Sequence, residues 1–266
     1  MTEIRVDNFD LEQIAESGQC FRFKRLGEYH YSVVAFGRYL EMRQEGNMLY
    51  LSCDEEEWKN IWYDYFDMGT DYGEIEKLVK NSGDVHLNEA FGKGFGIRIL
   101  KQDLWEIVIS FIISQNNNIP RIKKIIEGLC HDAGKEIEGH PGEYAFPSYS
   151  DLEPSYFCDG RLHMGYRVAY LKAMFEFVAA EPGWLDSLHN MSYEVARFTL
   201  LKRLGIGPKV ADCILLFGLH HVEAFPVDTH VKQLLSKYYP SGFNFEYFSG
   251  VAGIIQQYLF YYELLL

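Results

Sequence analysis

Early in the chain hydrophobic and polar residues alternate, and beyond about residue 70 hydrophobic residues recur every three or four positions. Successive side chains of a β-strand point to opposite faces of its sheet, so alternation is typical of strands that bury one face. The alternation covers 29–35, 40–42 and 48–51, and residues 36–38 and 45–47 are suited to the turns between them. The pattern predicts an antiparallel meander of three or four strands.

The rest of the chain predicts helices. Asp54 has the character of an N-cap residue before a segment rich in aromatic side chains, among them Trp58 and Phe66. Helices predicted from the later spacing run over 72–81, 86–93, 102–115, 119–132, 167–180, 193–203, 208–219, 229–238 and 244–262. The polar stretch at 133–147 predicts a loop. The predicted fold class is α+β, with a small antiparallel β-subdomain and flanking helices at 1–85 and a mostly helical body at 86–266.

Composition excludes several classes of protein. A hydrophobic content of 48% with 24% charged residues is ordinary for a globular protein. The N-terminus has no basic segment followed by an apolar one, so we expect no secretory signal. The most apolar window, 104–113, is too short to span a bilayer and predicts a buried central helix.

The cysteines and the net charge indicate the cellular compartment and limit the kinds of binding partner. Five cysteines without a C-x-x-C pair favour free thiols in a reducing compartment, and they carry no zinc or iron–sulfur signature. We therefore expect a cytoplasmic protein. A net charge of −13 disfavours nonspecific binding of polyanions, although a local cluster of donors can still bind nucleic acid.

Gly205-Ile206-Gly207-Pro208-Lys209 lies between two helical patterns. Glycine has no Cβ, so the backbone of Gly205 and Gly207 can approach an anion closely. The N–H groups that begin the following helix can then hold a phosphate. A helical corner capped by glycines is the alternative interpretation.

Lys209 and Asp228 form a candidate catalytic pair. Lys209 lies in the first turn of a predicted helix, where the positive end of the helix dipole favours the neutral amine that nucleophilic attack requires. A solvent-exposed lysine is the alternative. Asp228 precedes a helical pattern and so predicts an N-cap, and a carboxylate held there can also face a developing positive charge.

Weaker motifs lie elsewhere in the chain. Ser17-Gly18-Gln19 predicts a turn, or a glycine carbonyl that approaches a planar ligand. The run 115–118 with Arg121 predicts a decorated turn between helices, or amide groups that fill a hole in a base stack. Tyr166-Arg167 is a weak signal, and Gln256 and Phe260 project from one helical face because they are four residues apart.

Together these motifs resemble the 8-oxoguanine DNA glycosylase family, within the helix-hairpin-helix (HhH-GPD) base-excision superfamily. The likeness runs from about residue 10 to 265. It rests on six separate motifs in one order: 17–19, 114–119, 165–167, 205–213, 226–228 and 256–260. The resemblance implies a TBP-like β-subdomain packed on a helical body, with the C-terminal helix packed back near the N-terminal part.

The resemblance also implies a catalytic mechanism. Lys209 would attack C1′ of the damaged nucleotide and form a Schiff base, and Asp228 would stabilise the oxocarbenium-like transition state. The carbonyl of Gly18 would accept a hydrogen bond from the N7–H group of 8-oxoguanine, which guanine lacks. Gln256 would bind the Watson–Crick edge of the flipped base, and two further residues would sandwich its ring, namely Phe260 and Cys213.

The resemblance further implies contacts with double-stranded DNA. Asn116 would occupy the gap left by the flipped base, and Tyr166 would wedge beside it. Arg121 and Arg167 would bind the orphaned cytosine, which predicts a preference for cytosine opposite the lesion. His230 would lie near a backbone phosphate, as would the hairpin glycines.

Other expectations follow from the same resemblance. We expect a compact monomer of prokaryotic or archaeal type that associates with the nucleoid and not with membranes. No cofactor should be required, although a structural cation could bind at the hairpin. Gln115 stands where a smaller residue is often found, with no evident consequence.

Two alternatives stay open. The first is a related glycosylase for another base. No cysteine follows Cys213, which disfavours relatives that carry a four-cysteine cluster, and Lys209 disfavours alkyl-purine enzymes, which lack that lysine. The second is a helix-hairpin-helix module that binds DNA or protein without catalysis.

Overall fold

The computed structural model describes residues 2–152, 154–158, 160 and 162–266. Within these residues five antiparallel strands form one sheet in the order β1-β5-β4-β3-β2. The strands are β1 (Thr2–Arg5), β2 (Lys24–Gly27), β3 (His30–Ala35), β4 (Arg38–Glu45) and β5 (Met48–Leu51). The predicted alternating segments correspond to β3, β4 and β5, and the prediction did not locate β2. The prediction of three or four strands missed β1, which completes the sheet by pairing with β5 and sets Thr2 opposite Leu51.

Helices account for most of the remaining described chain. An irregular helical stretch comprises α2 (Glu55–Glu57), a π-helical turn (Trp58–Trp62) and α3 (Tyr63–Tyr65), and a 3-10 turn covers Pro154–Cys158. The other helices are α1 (Leu11–Glu16), α4 (Tyr72–Asn81), α5 (Val85–Gly94), α6 (Leu104–Ser114), α7 (Ile119–Ala133), α8 (Arg167–Ala180), α9 (Trp184–Leu188), α10 (Tyr193–Leu201), α11 (Pro208–Gly218), α12 (Thr229–Tyr238) and α13 (Ala252–Leu265).

Most helix boundaries agree with the prediction to within two residues, because capping residues mark them. Asp54 is an N-cap, as expected, and its carboxylate accepts a hydrogen bond from the Glu57 N–H at 2.8 Å. The prediction for 244–262 is wrong at its start. Helix α13 begins at Ala252, because Gly250 with φ of +83° interrupts helical geometry. Helices α1 and α9 escaped detection because one or two turns carry too little periodicity.

Two hydrophobic clusters divide the core. The first lies between the sheet, α1 and the aromatic residues of the π-helical region, including Trp62 and Phe66. The second surrounds α6, whose residues from Leu104 to Ile113 are all buried, as predicted for a central helix. Helix α4 belongs to this second cluster although it precedes residue 85, so the boundary between subdomains stays a prediction.

The described cysteines Cys20, Cys53, Cys130 and Cys213 are free and buried, in agreement with the prediction of free thiols. Among the described residues, no helix is both long enough and apolar enough to cross a membrane.

Candidate active site

The predicted helix–Gly-x-Gly–helix motif is formed by α10, a hairpin turn (residues 202–207) and α11. Gly205 adopts φ of +84°, and a Cβ there would lie 2.5 Å from Cγ of Tyr170. Gly207 caps α11 with φ of −89° and ψ of 178°, and a Cβ there would meet nothing within 4 Å. The two glycines therefore differ. Gly205 is required by backbone geometry and packing, whereas Gly207 leaves an open surface in front of the first turn of α11.

A salt bridge holds the two helices of the motif together. Arg197 on α10 places Nε 2.6 Å and Nη2 3.2 Å from the carboxylate oxygens of Asp212 on α11. This hydrogen bonding raises the pKa of Arg197. Asp212 is buried and also accepts a hydrogen bond from the Tyr193 hydroxyl at 3.4 Å. Sequence reasoning missed this pair, because only the antiparallel packing of α10 on α11 brings its members together. The bidentate contact fixes the helix that carries Lys209.

A cavity of about 40 Å³ opens beside Lys209. It is lined by Gly18, Phe111, Lys209, Cys213, Phe217, Pro226, Asp228, Gln256, Gln257 and Phe260. These ten residues come from five separate parts of the sequence. They include every residue predicted for catalysis and for base binding.

Lys209 and Asp228 both face this cavity. The Lys209 Nζ lies 5.0 Å from the ring centroid of Phe111, and its side chain is half-buried. Asp228 is the N-cap of α12, as predicted, and accepts a hydrogen bond from the Val231 N–H at 2.8 Å. Among the ion pairs of the described residues, none joins Lys209 to Asp228. The amine and the carboxylate thus line one cavity without an ion pair between them.

The walls of the cavity are largely apolar. Gly18 has φ of +76°, and a Cβ there would lie 3.3 Å from Cε1 of Phe260, so this glycine keeps the gap in front of the ring open. Gln256 is buried, and its Oε1 accepts a hydrogen bond from Nε2 of Gln257 at 3.0 Å. Burial raises the pKa of the Cys213 thiol to about 11, and the nearby Lys209 offsets part of the rise.

Sequence reasoning missed four cavity residues: Phe111, Phe217, Pro226 and Gln257. Phe111 and Phe217 stack with their ring centroids 5.5 Å apart. Both belong to continuous apolar helices, where nothing in the sequence separates a cavity wall from core. Gln257 could have been found, because it follows Gln256 in an otherwise apolar helix.

A wide groove of about 680 Å³ meets the cavity at Lys209 and Asp228, which line both. Its walls are Ser114–Asn118, Arg121, Gly207–Val210, Val227–His230 and Lys232. Of the residues predicted to bind DNA, Asn116, Arg121, Gly207 and His230 line this groove. The cavity is therefore a small recess that opens into a larger, polar groove.

The asparagine loop (residues 115–118) projects into the groove between α6 and α7. Asn116 adopts φ of +46°, a region that asparagine enters more readily than most residues, and its side chain is exposed. Its Nδ2 donates to the hydroxyl of Tyr166 at 3.2 Å. Arg121 is exposed, and its Nη2 donates to the carbonyl of His163 at 2.8 Å.

Arg167 lies behind the asparagine loop and is only 4% exposed. Its Nε donates to the carbonyl of Gln115 at 2.9 Å, and its Nη2 donates to the carbonyl of Asn116 at 2.9 Å. Its Nη1 donates to the carbonyl of Met164 at 3.2 Å. The family resemblance implied a residue that reaches DNA, whereas in this structure the guanidinium donates to backbone carbonyls. Its contact with cytosine stays a prediction.

The described residues contain no group of three or more His, Cys, Asp or Glu side chains suited to a metal ion. The predicted structural cation at the hairpin would need backbone carbonyls, and it stays a prediction.

Comparison with known proteins places the chain in a family. Residues 1–108 match the family model of the 8-oxoguanine DNA glycosylase N-terminal domain. The crystal structure of Clostridium acetobutylicum 8-oxoguanine glycosylase/lyase, in complex with double-stranded DNA that contains cytosine opposite 8-oxoG, superposes with a TM-score of 0.88. The two sequences are 39% identical, over 97% of this chain and 92% of that one. The chain belongs to the 8-oxoguanine DNA glycosylase family. The resemblance inferred from the six motifs is confirmed.

Two curated relatives of this family match the chain over only part of their own length. The Arabidopsis thaliana N-glycosylase/DNA lyase OGG1 is 30% identical over 252 residues, which are 84% of this chain and 64% of that protein. The Saccharomyces cerevisiae N-glycosylase/DNA lyase is 36% identical over 165 residues, which are 56% of this chain and 43% of that protein. The chain thus spans less than two thirds of the length of these relatives.

Proposed function

We propose that the protein is a bifunctional DNA glycosylase and AP lyase that excises 8-oxoguanine, preferably opposite cytosine, from double-stranded DNA. One observation carries the proposal. A single recess that opens from a polar groove is lined by an amine, a carboxylate, a glycine and a buried glutamine, contributed by Lys209, Asp228, Gly18 and Gln256.

The chemistry follows from the pair at the mouth of the recess. The neutral Lys209 amine attacks C1′, the N-glycosidic bond breaks, and its electrons and a proton leave with the base. The bond between Lys209 and C1′ then becomes a Schiff base as the sugar ring opens. Loss of a C2′ proton expels the 3′ phosphate by β-elimination, which nicks the strand. One carboxylate oxygen of Asp228 accepts a hydrogen bond from the Val231 N–H. The carboxylate can also face the positive charge that develops on the sugar.

A single proton, on N7, distinguishes 8-oxoguanine from guanine in this site. The N7–H group of 8-oxoguanine donates to the Gly18 carbonyl, whereas guanine would bring an acceptor against that acceptor and leave both unpaired. Gln256 is buried and reads the Watson–Crick edge. Cys213 stays a neutral thiol at physiological pH, because its pKa is about 11, so it packs against the ring without acting as a nucleophile.

Groove residues hold the distorted duplex. Flipping a base costs a few kcal/mol, and Asn116 offsets part of this cost when it fills the gap with Tyr166 beside it. Arg121 is exposed and binds the orphaned cytosine. Phosphates bind the open N–H groups at the start of α11 and the side chain of His230. We also place the protein, as a monomer, in the cytoplasm near the nucleoid, a location supported by its free thiols.

The proposal is tested by borohydride trapping with a duplex that contains 8-oxoguanine opposite cytosine. Wild-type protein should form a covalent adduct, and Lys209→Gln should form none. Lys77→Gln is the matched control, because Lys77 is exposed and pairs with Glu74 on α4, outside the groove. An adduct that still forms with Lys209→Gln would show that Lys209 is not the nucleophile. A panel of lesions in the same assay tests the alternative of a glycosylase for another damaged purine.

A further inference from the structure

Gln115 joins two parts of the site that are far apart in the sequence. Its Nε2 donates to the carbonyl of Ile112 at 3.2 Å and to the carbonyl of Gly205 at 2.9 Å. The first bond closes the end of α6. The second bond reaches the hairpin, four residues before Lys209. The side chain is only partly exposed, so the contact with Gly205 is shielded from solvent on one side.

The backbone of the same residue is held from the other side of the loop. Its carbonyl accepts hydrogen bonds from Nε of Arg167 at 2.9 Å and from the hydroxyl of Tyr166 at 3.3 Å, and Nη2 of Arg167 also contacts it. Gln115 is thus the point where α6, the start of α8 and the hairpin meet. Asn116 follows directly in a left-handed conformation, and its orientation depends on how the preceding peptide is held.

We infer that Gln115 is a positioning residue that holds the asparagine loop and the hairpin at a fixed separation. This inference rests on the proposed function, in which Asn116 enters the duplex while Lys209 attacks the sugar. Both residues line the same groove, and one hydrogen bond to Gly205 links their two segments directly. A smaller side chain at this position could not span the distance to the hairpin. The glutamine therefore couples insertion of Asn116 to correct placement of the nucleophile.

The test compares Gln115→Met, which keeps the length of the side chain and loses the donor, with wild type. We expect the single-turnover rate of 8-oxoguanine excision to fall about two- to tenfold, the range expected for one hydrogen bond. Affinity for a duplex with an abasic-site analogue and the denaturation midpoint should change little. Gln115→Asn keeps the amide but falls short of Gly205, so it should show the same fall.

Asn88→Leu is the matched control. Asn88 on α5 also donates from its amide to two carbonyls, those of Asp84 at 2.7 Å and Val79 at 3.3 Å, and it lies outside the groove. Its loss should leave the excision rate unchanged. Wild-type rates in both Gln115 variants would overturn the inference. So would a fall in rate that is matched by Asn88→Leu or explained by a loss of folded protein.

A double-mutant cycle distinguishes positioning from a general structural role. In an Asn116→Ala background the insertion has already been lost, so Gln115→Met should slow excision by less than twofold. Equal effects in both backgrounds would overturn the coupling. Failure of the proposed function is distinguishable, because it would appear as an adduct that survives Lys209→Gln.

Discussion

Gly205→Ala and Gly207→Ala add the same methyl group to the same hairpin, yet the structure predicts a loss of stability only for Gly205→Ala. At Gly205 an alanine must adopt φ of +84°, which costs about 1–2 kcal/mol for an L-residue. The new Cβ would also lie 2.5 Å from Cγ and 2.6 Å from Cβ of Tyr170, atoms near the backbone that cannot simply rotate away. Such overpacking costs about 1–3 kcal/mol.

The smaller entropy of an unfolded chain with alanine returns about 0.4–1 kcal/mol. The expected loss at Gly205 is therefore about 1–5 kcal/mol of the free energy of unfolding. At Gly207 the backbone is extended and the added Cβ meets nothing within 4 Å, so stability should change by no more than about 0.5 kcal/mol. The methyl group would instead stand where a phosphate approaches the first turn of α11, so affinity for a duplex with an abasic-site analogue should fall.

Unfolding in guanidinium chloride measures the stability of the two variants, provided that the dependence of the free energy of unfolding on denaturant concentration is the same in both. Fluorescence anisotropy measures their affinity for DNA. Equal losses of stability in the two variants would refute the argument from Tyr170. Unchanged DNA affinity in Gly207→Ala would refute the close approach of a phosphate.

Other predictions concern charge. Asp228→Asn should slow base release about a hundredfold or more while DNA affinity stays near wild type, as single-turnover rates and anisotropy would record; an unchanged rate would contradict its role. Arg121→Ala should relax the preference for cytosine opposite the lesion, and identical rates across the four opposite bases in wild type would already contradict this assignment. Burial raises the pKa of Glu106 from 4.5 to about 7. Between these two pH values the folded state keeps a proton that the unfolded state has released, so the free energy of unfolding falls as the pH rises from 4.5 to 7. Glu106→Gln should therefore stabilise the protein by roughly 3 kcal/mol at about pH 8 and by little near pH 4. An equal effect at both pH values in urea unfolding would contradict this. Asp212→Asn should destabilise the pairing of α10 with α11 by about 2–3 kcal/mol, because it leaves the Arg197 guanidinium with a weaker partner; a midpoint equal to that of wild type would exclude the role.

Local features of the protein could be predicted from its sequence because neighbouring residues generate them. The caps at Asp54 and Asp228 depend on side chains three residues from the backbone N–H groups that they accept from, and the turn at Gly205 depends on its own positive φ. Most helix boundaries were accurate for the same reason, although the start of α13 was not. The motifs also sufficed to indicate the family, since each combines unusual residue types at fixed local spacing.

Only the tertiary structure decided which distant residues meet. Strand β1 depends on β5, and the recess depends on Gly18 from the N-terminal segment facing Phe260 from the last helix. Arg167 shows the limit most clearly, because the family resemblance implied a contact with DNA whereas its buried guanidinium donates to three backbone carbonyls. Periodicity records which face of an element is apolar, but it does not record which carbonyl or ring lies opposite. Those partners are set by the packing of whole helices, and they determine where the amine of Lys209 and the loop of Asn116 are held.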